Sequence, residues 1–245
     1  MFVSVVSHGH ANLIITQNVL SDLAKGNTVI VTDNIGEKIL ETYCKSHSIE
    51  YIINKHRKGF GENNNQNFIK AKEMGLTSND IFLVLNPDVI IERETLSQLA
   101  TLMISESSIS ATINLHKPDG SIDNNIRHYP SITDFIISYI LGKNKTIIDK
   151  SKLLDKTEAD WASGSFIAIK ADIYEEVSGF DERYFMYCED LDLCRRIYKK
   201  TGKRIDYFPQ IQAIHYAAHQ NRKILSKHFC WHVKSVIRYC LKSEY

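Results

Sequence analysis

The sequence predicts an α/β fold: one domain, 1–245, with a mostly parallel central sheet, helices on both faces and an amphipathic C-terminal helix. Three observations point there. Apolar, β-branched runs of strand length alternate with segments of helical periodicity through the first half. Each of the main runs ends on polar residues, where open parallel sheets hold their ligands. No repeat, low-complexity tract or clear linker interrupts the 245 residues, a length that suffices for a well-buried core.

The elements follow in order. Phe2–Ser7 is a short buried strand, and Asn12–Leu23 carries apolar residues at helical spacing up to the stop at Lys25-Gly26-Asn27. Thr28–Thr32 (TVIVT) is a second buried strand, followed by a helix over about 37–46 and a short third strand at Glu50–Ile53. Gly59-Phe60-Gly61 opens a polar helix that closes near Gly75. Asp80–Leu85 (DIFLVL) is the fourth strand and Arg93–Ser105 the next helix. Ile109–Leu115 reads as a strand, and Pro118-Asp119-Gly120 as a turn. From Ser121 to about Glu158 the periodicity is poor, with one helix near Ile132–Leu141; such long irregular stretches in compact domains serve as binding loops or lids. Ala162–Ile169 and Arg204–Phe208 are strands flanking a helix over about 189–200, and Asn221–Leu241 is the terminal helix.

Bulk properties narrow the function classes. Charged residues make up 24% and the formal net charge is +1, so no global basic field points to nucleic acid. The five cysteines form no CxxC pair, which argues against a disulfide framework or structural zinc and fits a reducing compartment. The start, MFVSVVSHGH, has no basic n-region or cleavage pattern, and no apolar run reaches the roughly 20 residues of a membrane span. A cytoplasmic location is the expectation.

The polar groups after the strands are Ser7-His8, Asp33-Asn34 and Asn86-Pro87-Asp88. A carboxylate at this edge suits a hard divalent ion that shares its shell with substrate phosphates, although Asn-Pro-Asp is equally a simple turn. In Tyr184–Arg196, Glu189 and Asp190 fall in the first turn of a helix. There they either favour the helix dipole or form a general base desolvated by aromatic neighbours. Gly59-Phe60-Gly61-Glu62-Asn63-Asn64-Asn65 lacks the third glycine of a dinucleotide fingerprint, yet can bring backbone close to a phosphate or ribose. His215 ends the apolar stretch Ile211–Ile214 as either a structural histidine or a metal ligand. The terminal helix carries Arg222, Lys223, Lys227, Lys234, Arg238 and Lys242 among Phe229, Trp231, Val233 and Ile237. That pattern is a solvated basic face or a contact with anionic lipid headgroups.

Taken together, VVSHGH, VTDN, GFGENNN, LNPDV, WASGSFIAIK, GFDERYFMYCEDLDLCRR and the histidine of QAIH resemble the family 2 glycosyltransferases, most closely the bacterial rhamnosyltransferase-like branch that builds surface polysaccharide such as O-antigen. The resemblance runs over nearly the whole chain. It implies a GT-A fold, inverting transfer from a nucleotide-diphosphate sugar (dTDP-L-rhamnose first, UDP-galactofuranose or another UDP-hexose behind it), and Mg²⁺ or Mn²⁺. It also implies a saccharide acceptor linked to lipid at the inner leaflet. Position by position, Asp190 matches the catalytic base with Glu189 beside it, and Asp33 the contact to the donor base. Asp88 matches the metal-binding end of the DxD motif, with Asn86 in its first position, and His215 the histidine that completes the metal site. Ser7, His8, Gly59, Phe60, Gly61 and Asn64 fall on the donor side, and Trp161, Gly164 and Ser165 on the acceptor side. The resemblance divides the chain into a nucleotide-sugar half at 1–115, an acceptor and catalytic half at 116–220 and the helix at 221–245. Three departures stand out: Asn86 replaces a carboxylate, Asn67 stands where glycine is frequent, and Ser7-His8 replaces Thr-Tyr. The remaining alternative is an inactive nucleotide-sugar-binding module, against which stand the intact Asp33, Asp88, Glu189 and Asp190.

Overall fold

The computed structural model describes residues 1–217 and 227–242. Its strands are β1 (Phe2–Ser7), β2 (Thr28–Asp33), β3 (Glu50–Ile53), β4 (Ile81–Leu85), β5 (Val89–Ile90), β6 (Ser110–His116), β7 (Ile126–Arg127), β8 (Thr157–Ala159), β9 (Trp161–Ala162), β10 (Phe166–Lys170) and β11 (Ile205–His215). Its helices are α1 (Ala11–Gln17), α2 (Val19–Leu23), α3 (Lys38–Ser46), α4 (Phe60–Glu73), α5 (Arg93–Ser105), α6 (Ile132–Leu141), α7 (Ala171–Glu176), α8 (Glu189–Thr201) and α9 (Lys227–Leu241). The expected helical start at Asn221, with Arg222 and Lys223, lies outside the described residues.

The large sheet runs β3-β2-β1-β4-β10-β6-β11-β5, with β8 on β11. Its first four strands are parallel, as the alternation of strand and helix requires. β10 then runs antiparallel to both β4 and β6, while β11 returns to a parallel pairing with β6, so antiparallel strands enter the expected mostly parallel sheet only in its second half. Alternate residues serve opposite cores: Val3, Val5, Val29, Val31, Leu83 and Leu85 on one face, Phe2, Ile30, Phe82 and Val84 on the other. Burial on both faces is why these strands read as continuous apolar runs.

Two local departures from periodicity have physical causes. The helix expected over Asn12–Leu23 breaks at Asn18, which takes a left-handed conformation (φ 53°), and its amide oxygen accepts from the Tyr43 hydroxyl at 3.0 Å. The strand expected to end at Phe208 continues to His215 through an irregularity between Phe208 and Gln212, around Pro209, which removes a ladder donor. That bulge carries β11 alongside β5, opposing His215 to Val89.

The asparagine run of α4 ties the helix to the sheet. Asn64 accepts from the Ser4 hydroxyl at 2.6 Å, and Asn67 donates to Ser4 Oγ at 2.8 Å while accepting from Thr32. A glycine at 67 would leave Ser4 and Thr32 hydroxyls without that partner inside the core. Asn67 is therefore an alternative packing solution, satisfied by hydrogen bonds.

Candidate functional site

The site gathers at the carboxyl ends of the parallel strands, where peptide groups stop pairing and loops turn back. On the β1–β2 side, Asp33 is fully buried. Its Oδ1 accepts from the backbone N–H groups of Ile35 and Gly36 (both 3.0 Å), and its Oδ2 from the Glu37 N–H (2.5 Å) and the Tyr51 hydroxyl (2.9 Å). Four donors fill a carboxylate's acceptor capacity, so Asp33 builds the 33–37 loop and has no open oxygen for a base in this conformation. Glu37 in turn accepts from Ala11 N–H and the Ser7 hydroxyl. His8 is exposed beside Asn34, 3.3 Å from its amide nitrogen; partial burial and the Arg57 charge hold its pKa below the usual histidine value. Asn64, expected at the donor, is fully buried, with its amide used on Ser4 and the Phe60 carbonyl; it positions α4 and does not face the cleft.

The glycines of GFGENNN act through packing. A Cβ on Gly59 would lie 2.7 Å from the Phe185 carbonyl oxygen, and one on Gly61 would lie 2.6 Å from Phe180 Cβ. The Phe60 N–H donates to the same Phe185 carbonyl at 3.1 Å. The start of α4 is thus clamped against the 180–185 segment that leads into α8. That segment turns through Tyr187 and Cys188, both left-handed (φ 71° and 62°), a conformation costing of order 1–3 kcal/mol each. The turn delivers Glu189 and Asp190 to the first turn of α8.

Asp190 is half-buried at the cleft. Its Oδ2 accepts from the Gly164 N–H at 2.9 Å and its Oδ1 from the Leu191 N–H at 2.8 Å. Desolvation raises its pKa above the ordinary aspartate value, against those two backbone donors and the charge of Arg127. Glu189 is buried and its Oε2 has no hydrogen-bond partner among the described residues; burial first, then the adjacent Asp190 charge, push its pKa well up. Both carboxyls are thus pushed toward their protonated forms, Glu189 the more strongly because it is deeper. A Cβ on Gly164 would stand 2.9 Å from the Phe60 ring, which would have to shift to admit it. The next residue, Ser165, accepts at its carbonyl from the Asn86 N–H at 3.0 Å. Two consecutive residues therefore tie the candidate base to the Asn86-Pro87-Asp88 turn.

Asp88 is buried at that turn, and β11–β5 pairing brings His215 to it: Nε2 lies 3.3 Å from Asp88 Oδ1. His215 Nδ1 is 2.6 Å from Asp123 Oδ2. Burial works to lower the His215 pKa, but its hydrogen bonds to Asp123 and Asp88 and their charges outweigh burial and lift it to about 9. Asp123 escaped sequence reasoning, since Ile122-Asp123-Asn124 inside an aperiodic stretch gives no signal until the fold sets it against β11. Arg127 was missed for the same reason. Its guanidinium lies 5.3 Å from the Trp161 ring centre, and the Trp161 indole donates to the His128 carbonyl at 3.1 Å.

No family model matches the chain. Rhamnosyltransferase WbbL of Escherichia coli (strain K12) is 36% identical over 249 residues, spanning 100% of this chain and 94% of that protein. The chain belongs to the family 2 glycosyltransferases, in the rhamnosyltransferase branch. The N-acetylglucosaminyl-diphospho-decaprenol L-rhamnosyltransferase of Mycobacterium tuberculosis is 34% identical over 128 residues, 49% of this chain and 41% of its own length. Two solved structures agree in fold. Staphylococcus aureus TarS 1–349 in complex with UDP-GlcNAc has a TM-score of 0.58 at 15% identity over 90% of this chain and 61% of its own. GalNAc-T7 with UDP, GalNAc and Mn²⁺ has a TM-score of 0.56 at 14% identity over 87% of this chain and 43% of its own. The glycosyltransferase thus has a GT-A fold.

Proposed function

We propose that this glycosyltransferase moves L-rhamnose from dTDP-rhamnose, with inversion, onto a saccharide carried on a lipid diphosphate in surface-glycan synthesis. Two named rhamnosyltransferases among the relatives support the sugar, and the decaprenol-linked acceptor of the mycobacterial protein supports the lipid. The observation that carries the reading is the linkage through Gly164 and Ser165, which sets Asp190 across from the Asp88–His215 pair.

Asp190 takes the proton of the attacking acceptor hydroxyl. Its oxygens are aimed by the Gly164 and Leu191 N–H groups, and its raised pKa brings its basicity nearer that of a useful general base. Trp161, with Arg127 against its ring, offers a wall on which an acceptor sugar can stack. The residues would fit a divalent ion once His215 gives up the Nε2 proton that its pKa of about 9 keeps on it: one carboxylate and one imidazole nitrogen converge, a set suited to Mn²⁺ or Mg²⁺ when phosphate oxygens and water supply the remaining ligands. Among the described residues no group of three or more ligating side chains forms a complete cage, so binding should depend on the nucleotide. Held by Asp88 and His215, such an ion would supply charge neutralisation for the departing diphosphate. Asp123 orients His215 by holding Nδ1, which leaves Nε2 toward Asp88.

Calorimetric titration with dTDP-rhamnose, UDP-galactose, UDP-galactofuranose and UDP-glucose, each with Mn²⁺ and with EDTA, tests the reading. Metal-dependent binding confined to dTDP-rhamnose is expected. Selective binding of a UDP-hexose would replace the donor, and a folded protein that binds none would remove the donor assignment.

A further inference from the structure

The ends of β1, β2 and β3 lie side by side, with Ser7 opposite Asp33 and Asp33 opposite Ile53. The polar groups that follow β2 are already engaged. Asp33 accepts from four donors, and Asn34 accepts from the Lys58 N–H (2.9 Å) and the Asn54 amide (3.0 Å) while donating to the Lys58 carbonyl (2.9 Å). What stands open beside them is aliphatic: Ile35 is 43% and Ile53 58% exposed. Two glycines bring these side chains onto one surface. Gly9 and Gly36 both take positive φ (82° and 80°); a Cβ on Gly9 would lie 3.7 Å from Ile35 Cδ1, and one on Gly36 3.0 Å from Ile53 Cδ1. Ile35 therefore lies against the turn after β1, and Ile53 against the turn after β2. Asp33 fixes this arrangement, because its Oδ1 holds the N–H groups of both Ile35 and Gly36. A single exposed isoleucine needs no explanation, but an apolar edge spanning three strand ends, where open sheets hold their ligands, does.

We infer that Ile35 and Ile53 form an apolar lip that receives the 5-methyl edge of the donor's thymine and so selects a thymidine over a uridine diphosphate sugar. The inference rests on the dTDP-rhamnose reading and names the residues that distinguish its base. Placement follows from the reaction. In an inverting displacement the attacking hydroxyl and the departing diphosphate lie on opposite sides of the anomeric carbon. Asp190, the proposed base, is held from Gly164 just before β10, whereas Asp88 follows β4. The nucleoside travels with the leaving group, so it extends away from Asp190. In the order β3-β2-β1-β4-β10, that direction leads over the ends of β1, β2 and β3. Hydrogen bonds there would not separate the two bases, because thymine and uracil present the same N3–H and carbonyl groups and differ only in the methyl on C5. An apolar lip does separate them, since covering one such group is worth about fourfold in affinity.

The test is calorimetric titration of the full chain with dTDP and with dUDP in the presence of Mn²⁺, two ligands that differ by that methyl alone. Wild type is expected to bind dTDP about fourfold more tightly. In Ile35→Ala/Ile53→Ala the ratio should fall toward one, with dTDP losing affinity and dUDP keeping its own within about twofold. Ile104→Ala, which removes an exposed isoleucine of α5, should keep the wild-type ratio. A second measurement needs no variant to fold. With methyl-labelled isoleucine, nuclear Overhauser contacts from the thymine methyl to Ile35 and Ile53 are expected in the dTDP complex. Equal affinities in wild type, an unchanged ratio in the double variant, or absence of those contacts would overturn the lip and leave the nucleotide-sugar reading standing. A folded wild-type chain that binds neither nucleotide would overturn both.

Discussion

At the scale of single residues, the Glu189-Asp190 pair shows how adjacent carboxyls acquire different jobs. Asp190 has two backbone donors and a nearby arginine charge, while Glu189 is deeper and its Oε2 has no partner among the described residues. Asp190→Asn keeps the shape and removes the base, so we expect kcat to fall at least about a hundredfold with donor affinity unchanged by calorimetry; near-wild-type turnover would remove Asp190 as base. Glu189 provides a stability test with a definite sign. Its folded pKa lies above the ordinary 4.5, so the folded state retains a proton that the unfolded chain releases, and stability declines as pH rises toward the folded pKa. Glu189→Gln cannot ionise, and the difference in Tm between variant and wild type should grow in the variant's favour from pH 4.5 upward; a constant difference would mean Glu189 does not titrate this way. Asp123→Asn should weaken Mn²⁺ binding in the presence of nucleotide by about 10–100-fold, read by electron paramagnetic resonance, because the imidazole loses its charged orienting partner. Unaltered Mn²⁺ affinity would make the contact purely structural.

At the scale of elements, the start of α4 and the segment before α8 behave as one unit. Gly59 and Gly61 let the two backbones touch, and Phe60 carries the contact on to Gly164 and hence to Asp190. Gly59→Ala would drive a methyl into the Phe185 backbone, which cannot rotate away as a side chain can. We expect a loss of about 1–3 kcal/mol in urea denaturation, with kcat reduced more than donor affinity. A variant as stable and as active as wild type would show that the loop shifts freely. The motif is visible in sequence as glycine and asparagine, but its meaning is not. Glycine permits close approach to anything, and only the fold shows that the neighbour is the 180–185 segment. Asn64 and Asp33 read as ligand contacts for the same reason, and the fold engages them with Ser4, Tyr51 and the 35–37 backbone.

At the scale of the whole molecule, the C-terminal helix is latched to α8 and the segment before it. Lys242 is nearly buried, 2.6 Å from Asp192 and 3.2 Å from Asp181, while Arg196 holds the other oxygen of Asp192. Lys242→Met would leave a buried carboxylate with one cation fewer. We expect a cost of about 3 kcal/mol, and hydrogen exchange in α9 accelerated ahead of the sheet. Exchange in α9 equal to wild type would show that its apolar side alone holds it. The same latch gives α9 a fixed relation to Asp190.

Phe2–Ser7, Thr28–Thr32 and Asp80–Leu85 were legible because strands buried on both sides must be apolar throughout, and a helix between each pair forces parallel order. The order and chemistry of the motifs along one chain also determined the family, since each polar group after a strand is local information. What the sequence by itself did not contain was pairing across distance. β10 inserts against β4 from more than 80 residues downstream, β11 continues past an irregularity at Pro209, and only then do Asp88, Asp123 and His215 come together. The exposure of Ile132 and Ile136 on α6 was equally hidden, because an apolar helix reads as core until its neighbours are known. Local periodicity reports which face of an element avoids water; what that face meets is decided by the packing of the whole chain.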